Sequence, residues 1–146
     1  MANKMNFFKT KGAMELSREL KELSRGAQNK ILRPGLRQGA AEIRKIAKRI
    51  VPVDTGLLKK SLKSKVFTEK GGARGKGVTA RIGVLTNSGA DKNGVPVAKY
   101  GGGVNRKVKF LERASSKGEK KALDKLIKVS QQKLDDFHAK QPKVKP

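Results

Sequence analysis

The sequence predicts an α+β fold, with long kinked N-terminal helices packed on a small antiparallel sheet and a C-terminal helix. Three observations predict it. Apolar residues recur in steps of three and four up to residue 50. The period then falls to two between residues 62 and 84, and a helical period returns after Phe110.

Residues 15–23 place Leu16, Leu20 and Leu23 on one face, with Arg18, Glu19, Lys21 and Glu22 between them, which predicts an amphipathic helix. Gly26 is expected to interrupt it. A longer pattern follows through Ile31/Leu32, Leu36, Ala40, Ile43, Ala47 and Ile50. Pro34 and Gly35 fall inside it, where proline removes a backbone donor and disfavours helix at Arg33. Because the apolar phase survives the proline, a kink is expected there. Gly35 and Gly39 stand four residues apart and leave room for another backbone, in local packing rather than a subunit contact.

Pro52 ends this helix, and Val53-Asp54-Thr55-Gly56 reads as a tight turn in which Asp54 or Thr55 caps a short helical turn through Leu57, Leu58 and Leu62. Val78, Ala80, Ile82 and Val84 alternate with Thr79, Arg81, Gly83 and Leu85, the pattern of a strand. Its partner is Leu62 to Thr68, where Leu62, Ser64, Val66 and Thr68 alternate with Lys63, Lys65 and Phe67. Residues 69–77 between them are glycine-rich and basic, a mobile hairpin loop joining antiparallel neighbours. Residues 86–109 carry Gly101-Gly102-Gly103 and little periodicity, so a long loop with a short strand near residues 95–100 is expected. Leu111, Ala114, Ala122, Leu123, Leu126, Ile127 and Leu134 predict the C-terminal helix, interrupted or weakened at Gly118. The resulting organisation is an N-terminal arm (1–12), a single domain (13–136) and a disordered basic tail (137–146).

Composition bounds the function. There are 36 Lys+Arg against 12 Asp+Glu, a formal +24, over 146 residues. The excess is distributed as +8, +7, +4 and +5 over residues 1–55, 56–86, 87–116 and 117–146. A basic arm on a neutral domain would concentrate the charge, whereas here the whole body is basic and seeks polyanions. The absence of cysteine removes disulfides, thiolate catalysis and Cys-ligated zinc. No apolar run approaches the roughly 18 residues of a spanning helix, and residues 1–8 lack a signal-peptide core. A protein made in the cytoplasm, without a membrane partner, is expected.

Chemistry-bearing motifs are sparse. The only histidine, His138, stands near the C-terminal end. The glycines at 71, 75 and 77 fail the phosphate-loop spacing, and no hydroxyl follows Lys76. Gly101-Gly102-Gly103 fails the dinucleotide motif because Arg106 replaces the third glycine. A metal nuclease needs converging carboxylates, but Asp54, Glu69, Asp91 and Glu112 are scattered over different elements. No catalytic, cofactor or metal site is therefore expected. With aromatics at 4% and no Trp, base stacking is disfavoured and phosphate contact remains. Its candidates are Lys59, Lys60, Lys63, Lys65, Lys70, Arg74 and Lys76, which would otherwise form an ordinary solvated face. Tyr100, Phe110 and Leu111 are candidate partner contacts.

Three pieces of sequence together resemble the phage tail-component proteins of the head–tail joining and tail-completion group, which includes minor tail protein Z. They are Glu15-Leu16-x-x-x-Leu20-x-x-Leu23, the run from Ala47 through Pro52-Val53-Asp54-Thr55-Gly56 to Leu62, and Phe110-Leu111-Glu112-Arg113-Ala114. The middle piece is the most specific. The resemblance implies that Pro52, Asp54, Thr55 and Gly56 are a structural motif handing the long helix to the sheet. The sequence departs from the group after Tyr100, where Gly101-Gly102-Gly103-Val104 replaces an aromatic–acidic–Phe-Gly-Thr turn.

The resemblance further implies a homo-oligomer, a hexameric ring in the virion tail or neck, assembled in the host cytoplasm. Its implied partners are tail terminator, tail-tube and neck connector proteins, with phage DNA met through phosphate contacts. Six copies at +24 each would bring 144 positive charges to about 18 phosphates in a passage about 30 Å long. Most of the charge is therefore expected to meet acidic neighbours or solvent. A free, sequence-nonspecific nucleic-acid-binding protein is the alternative reading.

Overall fold

The computed structural model describes residues 12–52, 56–68, 77–84, 97, 105 and 108–141. The elements run α1 (Ala13–Lys21), α2 (Arg25–Ile50), α3 (Leu57–Ser61), β1 (Leu62–Thr68), β2 (Val78–Val84) and α4 (Phe110–Lys140). This is the α+β arrangement the periodicity predicts. Expectations for the arm, for the hairpin loop and for Tyr100 fall outside the described residues.

The break between the first two helices lies before Gly26, not at it. Glu22 closes α1, and Ser24 is the N-cap of α2, its Oγ accepting from the Ala27 N–H at 3.4 Å. The Gln28 amide donates to the Leu23 carbonyl at 2.8 Å and ties the turn to the new helix. A hydroxyl that satisfies an otherwise orphaned donor starts a helix, so Gly26 is absorbed into the first turn of α2. Pro34 lies within α2, which continues past it as one element of 26 residues. The C-cap, Val51, is extended at φ −63°, ψ 133°, because the ring of Pro52 excludes helical geometry from the residue before it.

Gly56 occupies the N-cap of α3 at φ 71°, a left-handed conformation that glycine adopts without a Cβ penalty. Asp54 and Thr55, the expected caps, lie outside the described residues. Leu62 closes α3 and opens β1. The two strands pair antiparallel from Leu62↔Val84 to Thr68↔Val78.

The antiparallel hairpin and α4 both pack on α2. The main core gathers Ile43, Ala47, Leu58, Leu62, Phe110 and Ala114, while a second cluster joins α1, α2 and α4 through Leu16, Leu20, Ile31 and Leu134. α4 is not interrupted at Gly118, since that glycine faces α2: an added Cβ would stand 3.0–3.1 Å from the side chains of Ile46 and Ile43. An added Cβ at Gly39 would stand 2.8 Å from the Ala122 carbonyl oxygen, and one at Gly35 would stand 2.5 Å from Ser130 Oγ. Gly35 and Gly39 therefore serve close packing between α2 and α4 within the chain, as expected.

Three further expectations are corrected. Phe110, expected at a partner contact, is 1% exposed, because the start of α4 sits in the main core with Ile43, Ala47, Leu58 and Leu62. Leu111 beside it is half-buried against the same core. Val97, where a short strand was expected, is helical and 1% exposed, so the long connection contributes to the core. α4 also extends beyond residue 136 to Lys140, with Phe137 packed against the second cluster.

Candidate functional site

A concave surface rich in positive charge lies where α2 meets β1. Arg33, Arg37 and Arg44 of α2 and Ser64, Lys65 and Val66 of β1, with Ala41, line a groove of about 440 Å³. No acidic side chain belongs to this lining. Three guanidinium groups and an ammonium facing one concavity concentrate positive potential there, and guanidinium forks match phosphate and carboxylate geometry.

Helical geometry explains how one element supplies three of the cations. At 3.6 residues per turn, Lys30, Arg33, Arg37, Arg44 and Lys48 fall within an arc of about 60°, a stripe about 27 Å long. Lys30, Arg33 and Arg37 are exposed, and Arg44 and Lys48 are half-exposed. The opposite side of α2 carries the small and apolar residues that meet α4, so the stripe remains on the surface while its backbone is held by the core.

Glu42, the one acidic residue within α2, is about 180° around the helix from Arg33. Its carboxylate accepts from Lys125 of α4 at 3.0 Å and from Lys45 at 3.2 Å, with the side chain 17% exposed. These hydrogen bonds, the one from Lys125 first, hold its carboxyl below the usual glutamate range. The acid of α2 is thus engaged by lysines away from the stripe, and among the described residues no ion pair joins an acid to a groove cation.

The basic surface continues from the groove across the hairpin. Lys65 and Arg81 are directly opposed in the β1–β2 register, a like-charge pair that disfavours the sheet. Both lie 5.3 Å from the centroid of the Phe67 ring, and cation–π attraction offsets part of the repulsion. Lys65 therefore belongs to both the groove and the outer hairpin face.

Of the cations expected to face a polyanion, the groove gathers Lys65. Lys59, Lys60 and Lys63 are exposed but do not line it, and Lys70, Arg74 and Lys76 lie outside the described residues. Arg33, Arg37 and Arg44 were missed by a reading that followed the apolar side of α2. Their i, i+4, i+11 spacing was the available signal. Among the described residues, no cluster of three or more His, Cys, Asp or Glu could hold a metal ion, and no helix is long and apolar enough to cross a membrane. His138 is exposed near the end of α4, in an edge-on ring contact with Phe137.

At the N-terminus of α4, Lys109 adopts a left-handed conformation at φ 51°. The capping work is done from a distance by Asn105, whose Oδ1 accepts from the Leu111 N–H at 2.9 Å and whose amide reaches Glu112 at 3.3 Å. These contacts fix Asn105 against the first turn of α4.

Residues 14–112 match the family described as "Bacteriophage HK97-gp10, putative tail-component". The match contains every residue lining the groove. Comparison with curated proteins gives no match, and comparison with solved structures gives none.

Proposed function

The chain belongs to the HK97-gp10-like family of phage tail components, and from that membership we propose that it is a non-enzymatic structural subunit of the virion's head–tail junction. In this reading it joins or completes the tail, forms a ring around the DNA passage, and meets tail-terminator, tail-tube and connector proteins through its loops and basic surface. The family match is the observation that carries the reading. Support comes from the basic groove, which suits a subunit working beside a polyanion, and from the formal +24, which exceeds what DNA in a passage could neutralise and leaves cations for acidic protein neighbours.

Electron microscopy of intact virions, with subunit copy number, tests this reading. Density for the protein in a closed ring at the neck or tail end is expected. Its absence from the particle, together with tight DNA binding by the free monomer or dimer, would favour the alternative of a free nucleic-acid-binding protein. That alternative draws on the same groove, so only location and assembly separate the two. A nuclease reading requires Mg²⁺-dependent cleavage lost on replacing Asp54 or Asp91, and no such cleavage is expected.

A further inference from the structure

The basic stripe of α2 has features that single it out from the remaining charge. Arg33, Arg37 and Arg44 repeat at intervals of four and seven residues. Lys117, Lys121 and Lys128 of α4 have the same spacing and are all exposed, yet Asp124 stands within their row. In the α2 row the position equivalent to Asp124 is Ala40, so three cations follow one another with no acid among them. Lys65 adds a fourth charge from β1, and Ser64 adds a hydroxyl that can donate to an anionic oxygen.

The partner's chemistry can be read from the lining. Protein interfaces are centred on desolvated apolar or aromatic anchors, whereas the apolar contribution to this groove is limited to Ala41 and Val66. The ring of Phe67, next to Val66 in β1, is engaged by two cations. A polar, strongly positive and elongated surface is the character of a nucleic-acid interface. At 3.4 Å per step, a stripe about 27 Å long spans about eight base pairs of duplex.

We propose that the α2 stripe, with Lys65 beside it, is the surface on which this protein holds the phosphate backbone of duplex DNA. The proposal deepens the reading above and rests on it for the presence of DNA. It moves the principal contact from the lysines of the hairpin region to the arginines of a helix whose position is set by the core. The contact assigned is to phosphates, which guanidinium and ammonium groups hold whatever the base sequence, and neither the lining nor the stripe presents an Asn, Gln or aromatic group.

The test uses the full chain and a labelled duplex of about 30 base pairs of mixed sequence, titrated by fluorescence anisotropy over a range of NaCl concentrations. The variant Arg33→Gln/Arg37→Gln/Lys65→Gln changes only exposed side chains. It is compared with Lys117→Gln/Lys121→Gln/Lys128→Gln, which removes the same number of charges from exposed positions of α4, and Arg44→Gln is measured separately. The α2 variant should bind at least about tenfold more weakly, with the slope of log K against log salt reduced by about 3. The α4 variant should lose about one unit of slope or less. Thermal unfolding of each variant reports whether the fold is retained.

Equal losses in the two triple variants would overturn the proposal in favour of diffuse charge, as would an absence of salt-dependent binding by the wild type. DNA binding retained in the α2 variant, with loss of binding to a polyglutamate peptide, would assign the groove to an acidic protein partner instead. Virion location is an independent readout. A particle-borne protein whose α2 variant binds DNA normally sinks this proposal alone, while stripe-dependent binding by a protein absent from virions sinks only the structural reading.

Discussion

Ser130 is fully buried in α4, and its Oγ has no hydrogen-bond partner among the described residues. A buried hydroxyl without a partner retains its desolvation cost and returns nothing for it. Ser130→Ala is therefore expected to leave the urea-unfolding free energy unchanged or raise it by up to about 1 kcal/mol. A loss of that size would show that the hydroxyl has a partner in solution. Glu42 has the opposite character. Its folded-state pKa is lowered, chiefly by the hydrogen bond from Lys125, so its contribution is present above the unfolded value and lost as pH falls through the folded one. The stability difference between wild type and Glu42→Gln should accordingly be largest near neutrality and disappear on acidification below the ordinary glutamate range. Urea titrations at pH 7 and near pH 3 would measure it, and a difference that persisted at low pH would assign the effect to packing.

At the scale of elements, the crossing of α2 and α4 decides the geometry of the site. Backbones that approach this closely need glycine for space. At Gly39 an added Cβ would meet the Ala122 carbonyl oxygen at 2.8 Å, whereas at Gly26 nothing lies within 4 Å. Both glycines are helical, so the same substitution should act with opposite signs. Gly39→Ala is expected to destabilise by about 1–3 kcal/mol, and Gly26→Ala to stabilise by roughly 0.5–1 kcal/mol through its better helix propensity. Chemical denaturation of the two variants gives the comparison. If both stabilised the protein, the helices would be free to separate and the stripe would lack a fixed support.

At the scale of the whole molecule, the formal +24 opposes compaction, because like charges are brought together on folding. The two hydrophobic clusters work against that repulsion. Screening grows as the Debye length falls from about 30 Å at 0.01 M salt to about 10 Å at 0.1 M. Tm is therefore expected to rise over this range, even though the exposed ion pairs weaken, since the latter are worth little each. Scanning calorimetry at the two concentrations checks it, and a falling Tm would mean that the positive charges are already compensated within the chain. Duplex DNA at low salt should give a larger rise than NaCl, because it binds the folded groove and stabilises by mass action.

Local order was legible in the sequence. Periodicity and turn chemistry are properties of neighbouring residues, which is why β1 and β2 fall where the alternation places them and why Pro52 ends the long helix. Cases where a residue's role depends on distant packing were not legible. Gly118 in isolation has the character of a helix breaker, and only the side chains of Ile43 and Ile46 beside it give it a packing role. Phe110 in isolation has the character of a free contact, and only the core that encloses it makes it structural. The basic body was evident from composition, but the site was not, because Arg33, Arg37 and Arg44 lie at least twenty residues from Lys65 along the chain. Sequence alone determined the α+β elements, the family signature and the excess of positive charge. Tertiary structure alone decided which of those charges share a groove, since burial of the α2–α4 crossing and of the inner hairpin face leaves the arginine row beside β1.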